Sequence, residues 1–161
     1  MKEEIIRILQ SDEPAFIRFE LLEALVDYAD GEEDVRLMLS ILRHDKDPMI
    51  RHEVAAQLLR LEQTKPELMY LLKKTILALL KETVVNDESV IVKHEALEAI
   101  GYIGEQEELN FLLSYTRDLN EDIRTTSQVA YESLRYRIDN NIGASELSSY
   151  LLNPKTEFID L

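Results

Sequence analysis

The sequence predicts an all-α fold, with helix pairs stacked into an α-α superhelix that contains no strands. Three observations carry this prediction. Four segments align without gaps: Ile17-Arg18-Phe19-Glu20-Leu21, Ile50-Arg51-His52-Glu53-Val54, Val92-Lys93-His94-Glu95-Ala96 and Ile123-Arg124-Thr125-Thr126-Ser127. Their leading aliphatic residues stand 33, 42 and 31 positions apart, and a period in that range is the signature of a solenoid. Apolar residues within each copy recur at helical spacing. Glycine and proline number only four each, which leaves few breakers inside long helices.

In chain order, Met1-Lys2-Glu3-Glu4 reads as a charged helix start and not as a signal peptide. The first copy offers a stripe of Ile17, Leu21, Ala24, Leu25 and Tyr28. A helix over 33–43 follows, carrying Val35, Met38, Leu39 and Leu42. Asp47-Pro48 then places a capping carboxylate before a proline at the first helical position. The second copy runs from there with Ile50, Val54, Leu58 and Leu61 inward. The longer spacing to the third copy predicts an extended helix over 67–81, with Leu68, Leu71, Leu72, Ile76, Leu79 and Leu80, and a loop over 84–87. That extra length either shapes an entrance to the concave face or extends the convex side. Asn86-Asp87 and Asn120 read as caps of the third and fourth copies. The third stripe is Val92, Ala96, Ala99, Ile100 and Ile103. Over 144–161, Glu146, Leu147, Tyr150, Leu151 and Leu152 suggest a capping helix, followed by an Asn153-Pro154 break and a tail. Residues 1–161 are read as one domain of four to five helix pairs.

Composition narrows the function. Hydrophobic residues make up 45% of the chain, enough for a continuous core between stacked repeats. No apolar run approaches the roughly 20 residues needed to span a bilayer. The absence of cysteine excludes disulfides and thiolate metal sites and agrees with a cytoplasmic location. Eighteen Lys and Arg stand against 32 Asp and Glu, for a net charge of −14. Such a surface does not supply the basic face that nucleic acid demands. It favours metal ions, cationic groups or a basic protein instead. There is no phosphate-binding glycine loop, no Gly-x-Ser-x-Gly elbow and no cysteine nucleophile.

The chemistry-bearing feature is a pair of dipeptides, His52-Glu53 and His94-Glu95, at one register of two neighbouring copies. At about 100° per residue, each histidine points away from the apolar stripe, at about 200°, with the glutamate on the flank. That geometry predicts exposed histidines on the second helix of each unit, the helices that line a solenoid's concave surface. Imidazole with carboxylate and no sulfur suits Fe, Mn, Zn or Ni better than Ca or Mg. The outer copies carry Phe19-Glu20 and Thr125-Thr126 instead, so the repeat itself does not require the pair. The residues leave two readings open: a metal half-site, or an idle surface pair inherited by duplication. His44 closes the preceding helix, where an imidazole serves as a dipole partner rather than a ligand.

The run from Val92 through His94-Glu95-Ala96-Leu97-Glu98-Ala99-Ile100-Gly101-Tyr102-Ile103-Gly104 resembles the HEAT-like repeats of the deoxyhypusine hydroxylase family. The resemblance continues through Glu108 to Tyr115 and Ser127 to Leu134, and covers residues 12–136. Members of that family have two halves, each with His-Glu pairs in two successive repeats, and the four pairs hold a di-iron centre that activates dioxygen. This chain resembles one half. The resemblance therefore implies a HEAT-like solenoid and O2-dependent hydroxylation, with His52, Glu53, His94 and Glu95 as metal residues. It further implies a homodimer that rebuilds the site around two irons, or around another divalent metal accepted by the same ligands. His52 and His94 would ligate one iron, Glu53 would reach across from the partner, and Glu95 would act as a ligand or as the catalytic carboxylate that orients water or a cationic substrate. The competing expectation is a non-catalytic interaction scaffold, similar to the repeats of bilin lyases, in which both histidines are partner contacts.

Overall fold

The computed structural model describes residues 1–147. Among them no strand occurs, and the helices are α1 (Lys2–Leu9), α2 (Ala15–Tyr28), α3 (Glu32–His44), α4 (Pro48–Thr64), α5 (Pro66–Met69), α6 (Lys73–Asn86), α7 (Val90–Ile103), α8 (Leu109–Tyr115) and α9 (Glu121–Asp139). Helix α1 packs on α2, α3 on α4, α6 on α7 and α8 on α9. The second helices of these pairs also pack on one another in order, α2 on α4, α4 on α7 and α7 on α9. The outcome is the all-α superhelical repeat fold expected from the period. Ile17, Ile50, Val92 and Ile123 are each the third residue of their helix, so the aligned copies share one register.

One core runs the length of the stack, from Ile5 and Leu9 at one end to Ala130 and Leu134 at the other. The second and third stripes face it as expected: Ile50, Val54, Leu58 and Leu61, then Val92, Ala96, Ala99, Ile100 and Ile103, are all buried. The first stripe differs. Helix α2 buries Arg18, Leu22, Leu25 and Val26, whereas Ile17, Leu21 and Ala24 are half-buried and Tyr28 is exposed. This helix is apolar on nearly every side, so periodicity did not single out a face. Only the short α1 covers its outer flank, so the positions that are buried in later copies remain partly open.

The extra residues before the third copy form neither a longer helix nor a loop. The chain folds as the short α5, a 3₁₀ turn over Tyr70–Leu72, and then α6, which continues to Asn86. The tighter 3₁₀ turn shifts the register, which turns Leu71 out to solvent while Leu72, Ile76 and Leu80 stay buried. Tyr70 and Leu71 border a cleft with Lys74, Lys81 and Glu107, none of them on α4 or α7. Asn86 and Asp87 end α6 rather than cap α7, whose N-cap is Ser89. The other two caps hold: Asp47 accepts from the Met49 N–H at 2.8 Å, and Asn120 accepts from Asp122 and Ile123. Residues 144–146 form a 3₁₀ turn; the expected capping helix and tail lie otherwise outside the described residues.

A polar ladder locks the copies together. An aspartate stands five residues before each leading aliphatic residue, at Asp12, Asp45, Asp87 and Asp118, and a basic residue follows that aliphatic. Asp45, Asp87 and Asp118 each accept a backbone N–H two residues on, from Asp47, Ser89 and Asn120, at 2.8–2.9 Å. Arg18 reaches forward to the Asp45 carboxylate, and Arg51 to that of Asp87 at 2.7 and 2.9 Å. Such two-pronged charged bonds set direction as well as contributing energy. At the other end of the helices, Lys65 donates to the carbonyls of Val26, Asp27 and Ala29 at 2.7–2.9 Å, closing the C-terminus of α2. Arg137 does the same for α7 through Gly101 and Tyr102. Cations suit these ends because unpaired carbonyls and the helix dipole make them negative.

Candidate metal centre

The site lies along the layer of second helices. Equal register puts His52 and His94 at the fifth position of α4 and α7, with Glu53, Glu95 and Thr126 at the sixth position of α4, α7 and α9. Neighbouring helices then interlock one step out of phase: the fifth residue of one faces the sixth residue of the next. His52 Nε2 lies 3.3 Å from a Glu95 carboxylate oxygen. His94 Nδ1 lies 2.8 Å from Thr126 Oγ1 and 3.1 Å from Asp122 Oδ1, both on α9. Its Nε2 stands 3.2 Å from Glu98, one turn further along α7.

The histidines are less open than the helical wheel suggested. Their side chains are 27% and 30% exposed, because each is wedged between its own helix and the next in the stack. The glutamates are more enclosed. Glu53 is buried and accepts from Gln57 Nε2 at 2.7 Å within α4. Glu95 is 14% exposed. Burial pushes its carboxyl above the usual carboxylate range, the charges of Glu98 and then Glu53 push the same way, and His52 and His94 oppose them. A cation placed beside this carboxyl would counter that shift.

One histidine nitrogen, one Glu95 oxygen and one Glu98 oxygen lie within 4.8 Å of one another, the histidine being His94. His52 approaches this group through Glu95, and its Nδ1 is buried with no hydrogen-bond partner among the described residues. Glu95 thus stands between both histidines, while Glu53 is turned along its own helix. Beside His94 a cleft of about 340 Å³ opens between α7 and α9, bordered by Glu98, Tyr102, Asp122, Thr126 and Val129. Glu98, Asp122 and Thr126 were not expected as site residues. Glu98 was legible in principle, since four positions after His94 means one turn on the same face. Asp122 and Thr126 come from another helix and have no local sequence signal.

His44 ends α3, is exposed, and lies apart from this cluster. Among the described residues no helix is long and apolar enough to cross a membrane.

No family model matches the chain. It is similar to the deoxyhypusine hydroxylase of Danio rerio, 27% identical over 132 residues, which covers 81% of this chain and 39% of that protein. It is also similar to the deoxyhypusine hydroxylase of Cryptococcus neoformans, 30% identical over 108 residues, with 66% and 27% covered. The chain therefore spans well under half the length of both relatives. These similarities support a distant relation to deoxyhypusine hydroxylases.

Proposed function

We propose that this chain is a HEAT-repeat metalloprotein of the hydroxylase type, a half-length counterpart of deoxyhypusine hydroxylase that works as a homodimer. The observation that carries the reading is the convergence of His94, Glu95 and Glu98, with Glu95 also facing His52 across the helix contact. The donor set fits iron: imidazole and carboxylate without sulfur suit Fe, Mn or Zn. The buried, unpartnered His52 Nδ1 supports the same fit, since such a nitrogen is costly unless a further partner is supplied. His52, His94 and Glu95 would hold the metal, with Glu98 beside them. Bound iron would supply dioxygen activation for hydroxylation of a substrate.

The chain's own residues prepare that chemistry. Asp122 and Thr126 orient the His94 ring through Nδ1, a role that second partners of metal-bound histidines commonly perform. Glu95 stands among Glu98, Glu53 and the two histidines, where an arriving cation would offset the carboxylate charges around it. The α7–α9 cleft beside His94 is the space for a substrate, with Glu98 and Asp122 making it attractive to a cationic group. Glu53, held by Gln57 in this chain, would be the carboxylate offered to a second copy across a twofold axis, the commonest symmetry of soluble oligomers. Two copies would give the four His-Glu pairs that the resemblance calls for.

The test is metal analysis and sedimentation of protein expressed with iron, wild type beside His52→Ala/His94→Ala. We expect iron in a dimeric wild type and its loss in the double variant. Wild-type protein that takes up no iron, manganese or zinc refutes the metal reading. A monomer that nevertheless binds metal refutes only the shared centre. A non-catalytic scaffold is the second reading, and one observation favours it: both His94 nitrogens already have partners within the protein.

A further inference from the structure

Phe16, Met49 and Ile91 occupy one register position, the second residue of α2, α4 and α7. All three face solvent, at 72%, 44% and 42% exposure. Nothing local explains three apolar side chains there. First helical turns favour Asp or Glu because of the helix dipole, and α1, α3 and α9 follow that preference. The first turns of α2, α4 and α7 contain no acid at all, as is also true of α6 and α8. In the fourth copy the same position is Asp122, so the apolar row spans the first three copies and stops before the last. Because α2, α4 and α7 are consecutive neighbours, the three side chains form a ridge across the layer, with steps set by the roughly 8–10 Å between packed helices.

Carboxylates border this ridge. Glu13 and Glu88 are exposed in the loops that lead into α2 and α7, and Glu20, Glu98 and Asp122 are exposed on its other side. The nearest arginines, Arg18 and Arg51, are committed to Asp45 and Asp87, which leaves the half-buried Lys93 of α7 and the exposed Lys46 in the loop before α4 as the bases near the ridge. Where no metal ion offsets the charge, as it would at the shared centre proposed above, a second copy of a chain with a net charge of −14 brings like charge to an acidic rim. A basic segment brings the complementary sign. Its shape follows from the spacing. On a helix, residues seven apart rise by about 10.5 Å and lie on one face, close to the step of the ridge.

We propose that Phe16, Met49 and Ile91 form a docking ridge for a basic amphipathic helix of a partner protein, laid across the first turns of α2, α4 and α7. Partner residues at i, i+7 and i+14 meet the three apolar side chains, and flanking Lys or Arg meet the carboxylate rim. Helix-on-surface recognition of this kind reads apolar anchors at regular helical intervals. The surface exists whether or not the histidines hold metal.

The test uses a labelled synthetic peptide of about 21 residues, rich in Lys and Ala with Leu at every seventh position, read by fluorescence anisotropy. A peptide of the same composition with its leucines shuffled is the comparison. We expect wild type to prefer the ordered peptide, and Phe16→Ser/Met49→Ser/Ile91→Ser to weaken it about tenfold or more. Tyr70→Ser/Leu71→Ser, exposed elsewhere, should leave binding unchanged. Single Phe16→Ser and Met49→Ser variants, checked by circular dichroism, should show graded losses and serve if the triple variant misfolds. Equal binding of both peptides by wild type, or an unchanged affinity in folded ridge variants, overturns the proposal. So does concentration-dependent self-association of wild type that the ridge variants abolish while peptide binding persists, because the occupant is then a second copy.

Discussion

His52 Nε2 on α4 lies 3.3 Å from Glu95 on α7, so the carboxylate that this imidazole meets comes from the next copy of the repeat. Glu95 lies between two histidines, while Glu53 is held by Gln57 at 2.7 Å. The two glutamates are therefore unequal. Glu95→Gln should weaken iron or zinc binding by about 10–100-fold, the range for removing an oriented group at a metal site. Glu53→Gln should leave the affinity of a single chain nearly unchanged and lower it only in the dimer, where Glu53 is offered to the second copy. Titration calorimetry on both variants, below and above the concentration at which the chain dimerises, reads the difference, and equal losses in the single chain would show that the pairing across the helices does not govern binding.

Asp122 lies outside the converging group of His94, Glu95 and Glu98 but stands 3.1 Å from His94 Nδ1. Asp122→Asn should keep the fold and the ring's neighbour while removing the negative charge that makes the imidazole a stronger ligand. A loss of metal affinity of about tenfold is expected, with an unchanged melting temperature. A large drop in melting temperature instead would assign Asp122 to the fold.

Arg51 and Asp87 join α4 to the turn before α7, and both side chains are largely enclosed. Removing one partner strands the other, so Arg51→Ala should cost about 2–4 kcal/mol in urea unfolding. Burial acts to raise the Asp87 carboxyl, but bonds from Arg51 and the Ser89 N–H outweigh it and hold the group below its ordinary range. A carboxyl lowered in the folded state stabilises above its unfolded pKa of about 3.9, and that stability is lost as pH falls through the folded value. The stability gap between wild type and Asp87→Asn should therefore be full near neutrality and shrink below about pH 4. A gap independent of pH would contradict the assignment.

Gly101 marks a close approach of α7 to α9. A methyl group placed there would lie 2.7 Å from Ala130 Cβ and 2.9 Å from its Cα. Gly101→Ala should destabilise by about 1–3 kcal/mol through overpacking, despite the better helix propensity of alanine. Adding Ala130→Gly should recover part of the loss, and thermal melts of the single and double variants measure it. His94 meets Asp122 and Thr126 across the same pair of helices, so metal binding should fall in parallel.

The sequence alone determined that the chain is helical, where the four copies begin, and which positions carry the histidines. Those facts depend on local periodicity and capping, which act within one turn of helix. Tertiary structure decided the rest. The rotation of α2 was not legible because that helix is apolar almost all round. The break at Tyr70–Leu72 was hidden because short helical runs share one apolar pattern whether or not a 3₁₀ turn interrupts them. The pairing of His52 with Glu95 rather than Glu53 follows from the one-step offset between neighbouring helices, which is decided by how α4 packs on α7. Residue order placed histidine beside glutamate; packing between helices chose which glutamate each histidine meets.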